Sequence, residues 1–504
     1  MNISSVELNP YDRTALLAVC GLVIQESASK DIPDEFTKED LIGWAADPGS
    51  SGLLPGYPVV LESCGDLTEA KLYEKKQGHN GHIGSIRQAY AEFVENFHEE
   101  QAVLQKAMED SHLYKALNLV FFQWNAEFLL PTVFEVLQPF IPGNGAKVDV
   151  NDIDVVFITM QENCGMGAAD HKHFIQQVVK GLNVLSEEKT WDTNSSTYRE
   201  MGNLFGTKAC AHGPLANHQS IYVVSRRSIL RLEATTTCEW GMNMREKGFV
   251  AISIEAADMG RILALGIHLP TLKEEQSAAL ITLLKKVVAA CVPSKHQDQG
   301  LDYFDGGVYL VGDFNSRLSN PSVDIIFKNL KRRTDYDDVF SLPPPPAGES
   351  VLAHQLLYIM KYEREDKDTR FAPLLWAADS LGGSNEVEGT SGDLRTPLLA
   401  KGFSLINVCY GGAFSYSWLK KCSPSATETT RKVKEAPGNA GYLDRIAIRM
   451  PSASLKRSDT PTQAPSFLEG AVFLVFAGQL VDFRSDHFPQ VFVVRLMKKV
   501  HRPW

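Results

Sequence analysis

The chain has 504 residues, of which 44% are hydrophobic and 22% charged. That is about three times the ~150 residues of an average domain, so more than one folding unit is expected, and the composition excludes wholesale disorder. Lys and Arg number 50 against 61 Asp and Glu; the net charge of -11 argues against sequence-independent coating of nucleic acid.

The 8 cysteines form no CxxC pair, so they read as reduced, mostly buried thiols rather than a disulfide framework or a zinc site. No apolar run approaches the ~18 residues of a spanning helix. Glu7 and Asp12 precede the apolar stretch Ala15–Ile24, which therefore reads as a helix with Leu16, Leu17, Cys20 and Val23 on one stripe, not as a signal core. A cytoplasmic setting is favoured.

Residues 1–115 read as a mostly helical N-terminal accessory domain, with a protein partner as its expected task. Thr37 and Asp40 form a capping-box-like start before Leu41 and Trp44, and Ser85–Leu113 runs without Gly or Pro at helical apolar spacing. Residues 116–504 read as a second domain built on short apolar runs. These are Leu117–Trp124, Val155–Met160, Ile221–Val224, Phe249–Ile254, Ile262–Leu269, Val308–Val311, Tyr442–Ile448, Val472–Phe476 and Val491–Leu496. Each is of strand length, and helical patterns such as Glu274–Val292 fall between some of them, which predicts an α/β sandwich of packed sheets. Residues 335–401 read as a loop insertion: Pro343–Pro346 is a polyproline stretch, Gly382–Gly392 is polar, and helix is expected near Leu352–Tyr362.

Polar residues collect at the ends of these strands: Asn125, Glu162, His268, then Asp313, Asn315 and Arg317, then Asp444, Asp486 and His487. Singly, a carboxylate at a strand end caps a turn and a lone histidine is packing. Together they supply the hard oxygen ligands that suit Mg²⁺, imidazoles able to meet phosphate, and a carboxylate to orient one of them, which is the equipment of metal-assisted phosphoester hydrolysis.

In order and wording, Gln123-Trp124-Asn125, Gln161-Glu162, Lys247-Gly248, His268-Leu269, Gly312-Asp313-Phe314-Asn315-Ser316-Arg317, Asp444-Arg445-Ile446 and Ser485-Asp486-His487-Phe488-Pro489 resemble the motifs of the endonuclease/exonuclease/phosphatase superfamily. Within it they are most similar to those of inositol polyphosphate 5-phosphatases. The resemblance implies a four-layer α/β sandwich of the deoxyribonuclease-I-like type and a Mg²⁺-dependent (or Mn²⁺-dependent) phosphatase removing an inositol 5-phosphate. It implies Glu162 as main metal ligand with Asn125 and Asp486. Asp313, helped by Asn315, would direct the attacking water, and His487, oriented by Asp444, and His268 would hold the scissile phosphate. Arg317, Lys247 and Arg445 would contact the phosphorylated ring. The family's ring-phosphate lysine is replaced by Ser417, and Lys420 and Lys421, with Arg431, Lys432 and Lys434 beyond them, are expected to supply the lost charge.

The implied substrates are phosphoinositides at a peripheral membrane surface or soluble inositol phosphates, with no nucleic acid partner. Such divergence behind an unfamiliar N-terminus fits an effector secreted into a host cell. A nuclease of the same fold, a sphingomyelinase-like phosphodiesterase and an inactive scaffold stand as alternatives.

Overall fold

The computed structural model describes residues 23–25, 36–46, 103–126, 133–142, 148–162, 168–186, 219–226, 229–238, 247–256, 259–270, 273–316, 394–406, 418–422, 428–433, 443–450, 470–479, 487 and 489–500. In chain order they form β1 (Val23–Gln25), α1 (Lys38–Ala46), β2 (Tyr114–Asn125), α2 (Val133–Leu137), β3 (Val155–Gln161), α3 (Ala168–Leu185), β4 (Ser220–Ser225), β5 (Ile229–Cys238), β6 (Gly248–Ala256), β7 (Gly260–His268), α4 (Lys273–Cys291), β8 (Val308–Asp313), α5 (Arg395–Ala400), β9 (Phe403–Ile406), β10 (Trp418–Cys422), β11 (Glu428–Val433), β12 (Asp444–Arg449), β13 (Gly470–Gln479) and β14 (Gln490–Lys499).

The strands make a six-stranded sheet in the order β5-β6-β7-β8-β12-β9, a five-stranded sheet in the order β13-β14-β2-β3-β4, and a small sheet β1-β11-β10. Both large sheets are mixed: β2 and β3 run parallel, as do β7 and β8, while their other neighbours are antiparallel. Strand alternation explains why two such sheets must face each other. In β7, Leu263, Leu265 and Ile267 share a fully buried cluster with Leu280, Leu283 and Val287 of α4. Each such side chain contributes about 1.5–3 kcal/mol by leaving water. The alternate residues of β7 point the other way, toward the second sheet, and Gly266 approaches it so closely that an added Cβ would stand 3.3 Å from Thr159 of β3. Across the same gap Phe121 of β2 stacks on Tyr309 of β8 at 5.0 Å. On the outer face of the five-stranded sheet, Phe174 of α3 meets Tyr222 of β4 at 5.6 Å. Helix, sheet, sheet and helix thus stack in four layers, and two mixed sheets with few helices fit a deoxyribonuclease-I-like α/β fold.

Each apolar run read as a strand coincides with one, and the helix at Glu274–Val292 is α4, offset by one residue. The capping box is present: the Thr37 amide donates to Asp40 Oδ2 at 2.8 Å, and the Asp40 amide donates to Thr37 Oγ1 at 3.2 Å. A mostly helical N-terminal domain is not supported. The described residues of that region are β1, α1, a helical stretch at 103–109 and the start of β2. Val23 and Ile24, placed on a helix by their apolar spacing, lie in β1, where β-branched side chains suit the pairing with Thr430 and Thr429 of β11. Nor does the 103–109 helix stand apart: Met108 packs in one buried cluster with Tyr114, Phe473 and Met497 of the five-stranded sheet. The rest of Ala15–Ile24 and of Ser85–Leu113, and all of 335–401 before residue 394, lie outside the described residues.

Candidate active site

Six strand ends converge because of sheet register. Parallel pairing brings the C-terminal ends of β2 and β3 together, with Asn125 opposite Gln161, and those of β7 and β8, with His268 opposite Asp313. Antiparallel pairing then sets the first residue of β12, Asp444, opposite Asp313, and sets the start of β14, just after His487, beside Gln123. The inward-facing series Phe121, Gln123, Asn125 and Tyr309, Val311, Asp313 turn polar only at this end. One strand period carries the core into the site.

Asp313 is the hub and is 1% exposed. Its Oδ2 lies 3.1 Å from His268 Nε2 and 3.7 Å from His487 Nε2, and accepts from Asn125 Nδ2 at 3.3 Å. Its Oδ1 accepts from the Asn315 amide at 2.7 Å. Burial pushes the Asp313 carboxyl up, but the charge of His487, the hydrogen bond and charge of His268, and the charge of Lys247 outweigh it and hold the group well below the usual carboxylate range. Asp313 is therefore an ionised acceptor at neutral pH.

Two arms reach the hub. In one, His487 Nδ1 donates to Asp444 Oδ2 at 2.9 Å, which aims Nε2 toward Asp313, while Trp124 Nε1 donates to the His487 carbonyl at 3.2 Å. Asp444 is wholly buried, and its other oxygen accepts from Gln123 Nε2 at 2.7 Å. In the other arm, Lys247 Nζ meets His268 Nε2, and Glu162 Oε1 stands 3.7 Å from the same nitrogen. An ammonium and an imidazole directed at one point beside two carboxylates can receive an anionic oxygen or flank a cation.

The backbone is under tension here. Among the described residues, the non-glycine positions with positive φ are Glu162 (55°) and Asn315 (50°), the residues just past β3 and just past Asp313-Phe314. Left-handed backbone at such residues is costly and persists where surrounding contacts over-determine it. Asn315 is held by its Nδ2 donating to the Leu269 carbonyl at 2.7 Å. Gly312, at φ 146°, lets β8 pass β7 where a Cβ would stand 2.1 Å from the Ile267 carbonyl oxygen.

Asp313, Asp444 and His487 offer ligand atoms within 4.8 Å of one another and could hold a metal ion. Both Asp444 oxygens already have donors, as do both oxygens of Asp313, so the hard oxygens better placed for a divalent cation are those of the Glu162 carboxylate, 15% exposed. That carboxylate, with the Asn125 amide on the neighbouring strand end, suits a hard divalent cation.

The structure thus brings together Asn125, Glu162, Lys247, His268, Asp313, Asn315, Asp444 and His487. Arg445, expected to meet substrate, follows Asp444 on the strand, so the pleat directs it to the opposite face of β12. Lys420 and Lys421 lie in β10, and Arg431 and Lys432 in β11, so the expected basic loop is a paired hairpin. Asp486, Arg317, Ser417 and Lys434 lie outside the described residues. Residue reading missed the structural part of Gln123, a buried amide bonded to both Asp444 and Gln161. The available signal was a polar residue at an inward position of an otherwise apolar strand.

No family model matches the chain, and no curated protein sequence matches it. Among solved structures it is similar to the inositol polyphosphate 5-phosphatase domain of SpSynaptojanin in complex with inositol (1,4)-bisphosphate and calcium ion. That likeness has 13% identity, covers 79% of this chain and 90% of the other, and has a TM-score of 0.44. It is also similar to a Cimex nitrophorin (12% identity, 76% and 98% covered, TM-score 0.38) and to ANGEL2, a 2',3'-cyclic phosphatase (11% identity, 76% and 97% covered, TM-score 0.30). At such identities and TM-scores these likenesses single out neither a reaction nor a substrate.

Proposed function

We propose that this chain is a metal-dependent phosphoric ester hydrolase, and that its substrate is an inositol phosphate carrying a 5-phosphate. The observation that carries the first part is the Asp313 hub: one buried carboxylate, ionised, flanked by two imidazoles of which one is backed by a carboxylate of its own. Ion pairing alone needs no such arrangement. Hydrolysis of a phosphate dianion does, because the ester repels an incoming nucleophile until its charge is offset.

Asp313 orients the attacking water and takes its proton as the new P–O bond forms, with Asn315 fixing the carboxylate. His487, with Nδ1 given to Asp444, presents Nε2 to the phosphate and offers a proton to the leaving oxygen. Lys247 and His268 receive a non-bridging oxygen. Glu162, assisted by Asn125 and Asp486, would hold Mg²⁺, which when bound would lower the charge on the phosphate and the pKa of a bound water.

The 5-phosphatase reading rests on the motif resemblance, with Lys247 in the cluster. The cytoplasmic, membrane-peripheral setting and a role as a secreted effector belong to the same proposal. A panel decides between readings. Soluble and lipid inositol phosphates with and without a 5-phosphate are incubated with the protein and Mg²⁺, in parallel with plasmid DNA. Phosphate release confined to 5-phosphorylated compounds supports the proposal; DNA nicking without phosphate release replaces it with a nuclease.

A further inference from the structure

Gln123 is wholly buried near the C-terminal end of β2, where its neighbours are Phe121, Phe122 and Trp124. Its Nε2 has two hydrogens, and both are engaged: one goes to Gln161 Oε1 at 2.8 Å and one to Asp444 Oδ1 at 2.7 Å. Its own Oε1 has no hydrogen-bond partner among the described residues, and neither does Gln161 Nε2. A buried amide oxygen without a donor is unfavourable, and an apolar side chain of the same length would avoid it. The amide also cannot be reversed, since its oxygen would then face two acceptors. The side chain is held in the one orientation that serves Asp444.

Asp444 therefore has a donor on each oxygen, Gln123 on Oδ1 and His487 on Oδ2. The terminal torsion of an aspartate is broad and roughly two-fold, so a carboxylate bonded only to the imidazole could swing with it. Two donors fix its plane, and with it the direction of His487 Nε2 toward Asp313. Gln161 closes the chain: it receives the other Gln123 hydrogen and directly precedes Glu162, so the Glu162 strand end and the imidazole arm share one buried hydrogen-bonded series.

We propose that Gln123 is a positioning residue that clamps Asp444 through Oδ1 and thereby sets the orientation of His487, with Gln161 fixing the Gln123 amide. The proposal rests on the hydrolase reading for its kinetic consequence, but the clamp itself is independent of it. The test is Gln123→Met, which keeps length and removes both donors. Its first readout is the downfield proton resonance of the carboxylate-bonded His487 Nδ1–H in the full-length protein, assigned by its loss in His487→Gln. This resonance is expected to be sharp in the parent and broadened by exchange in Gln123→Met. The second readout is steady-state hydrolysis of the best substrate found, where kcat falls about tenfold while KM is unchanged. Should Gln123→Met not fold, Gln123→Asn, which keeps the amide but withdraws it from Asp444, is expected to give the same two changes. A parent without hydrolase activity overturns the proposed function and leaves the resonance to judge the clamp. An active parent whose variant retains both a sharp resonance and full kcat overturns the clamp alone.

Discussion

The same strands end in charged residues at both ends, and the two ends are built differently. At the end away from the site, Asp305 accepts from the Arg261 amide at 2.8 Å, pairs with its guanidinium at 3.3 Å, and meets Lys498 at 2.5 Å. Arg449 pairs with Asp302 at 2.6 Å, and Arg261 also stacks over the Tyr303 ring at 4.0 Å. These carboxylates are about two-fifths exposed, and each is matched by cations. At the site end, Asp313 and Asp444 are buried, their neighbours are mostly amides and imidazoles with the Lys247 ammonium beyond His268, and positive φ appears at Glu162 and Asn315. Matched, half-exposed charge holds strands together. Buried carboxylates supported by amides and imidazoles, on strained backbone, mark a place where the fold tolerates cost in order to bind something.

The sharpest way to break this contrast is to neutralise one charge at each end. Glu162→Gln is expected to retain the fold and lose about a hundredfold or more of turnover, measured as phosphate release beside a thermal melt. A variant with near-parental turnover would remove Glu162 from the metal site.

The imidazole arm should come next. His487→Ala and Asp444→Asn are each expected to lower kcat by about tenfold to a hundredfold, with the double variant little worse than the poorer single one, because the two act as a unit. Additive losses in log kcat would show two independent residues.

The smallest effect belongs to the opposite end. Asp305→Asn should leave kcat unchanged and lower stability at pH 7 by about 0.5–1 kcal/mol, a value kept small because the pair is half-exposed and screened. Burial raises the Asp305 carboxyl, but the Arg261 amide, Lys498 and the Arg261 charge lower it below its ordinary 3.8. A depressed acid contributes stability fully present above its unfolded value and lost as pH falls through the folded one. The gap between parent and variant should therefore close on acidification below about pH 4; a gap that persists there would mean packing, not charge, is at stake.

How much of this was legible depends on the residue. The runs that became β2, β3, β7 and β8 are apolar enough to declare themselves, since both of their faces are covered. β5, with the sequence Ile-Leu-Arg-Leu-Glu-Ala-Thr-Thr-Thr-Cys, is an edge strand whose polar residues hide it, and α3 opens with Ala-Ala-Asp-His-Lys-His before its apolar face appears at Phe174, Ile175, Val178 and Leu182. In the site, the strand-end residues were readable one by one, and their order made a family resemblance visible. Their mutual geometry was not: Asp444 and His487 are 43 positions apart, and Gln123 and Asp444 are 321 apart. Only sheet register brings them together. Gln123 was visible only as part of the Gln123-Trp124-Asn125 motif and had no role there, because a glutamine inside an apolar strand looks like a tolerated imperfection until its two donors are traced.

The proposed reaction is hydrolysis of a phosphate ester, with a divalent metal at the Glu162 side. The most direct measurement is release of inorganic phosphate from a 5-phosphorylated inositol compound by three samples: the parent with Mg²⁺, the parent with EDTA, and Glu162→Gln with Mg²⁺. Turnover is expected in the first sample alone, restored to the second when Mg²⁺ is added in excess of the chelator. Equal turnover with and without EDTA, or in Glu162→Gln, would contradict it.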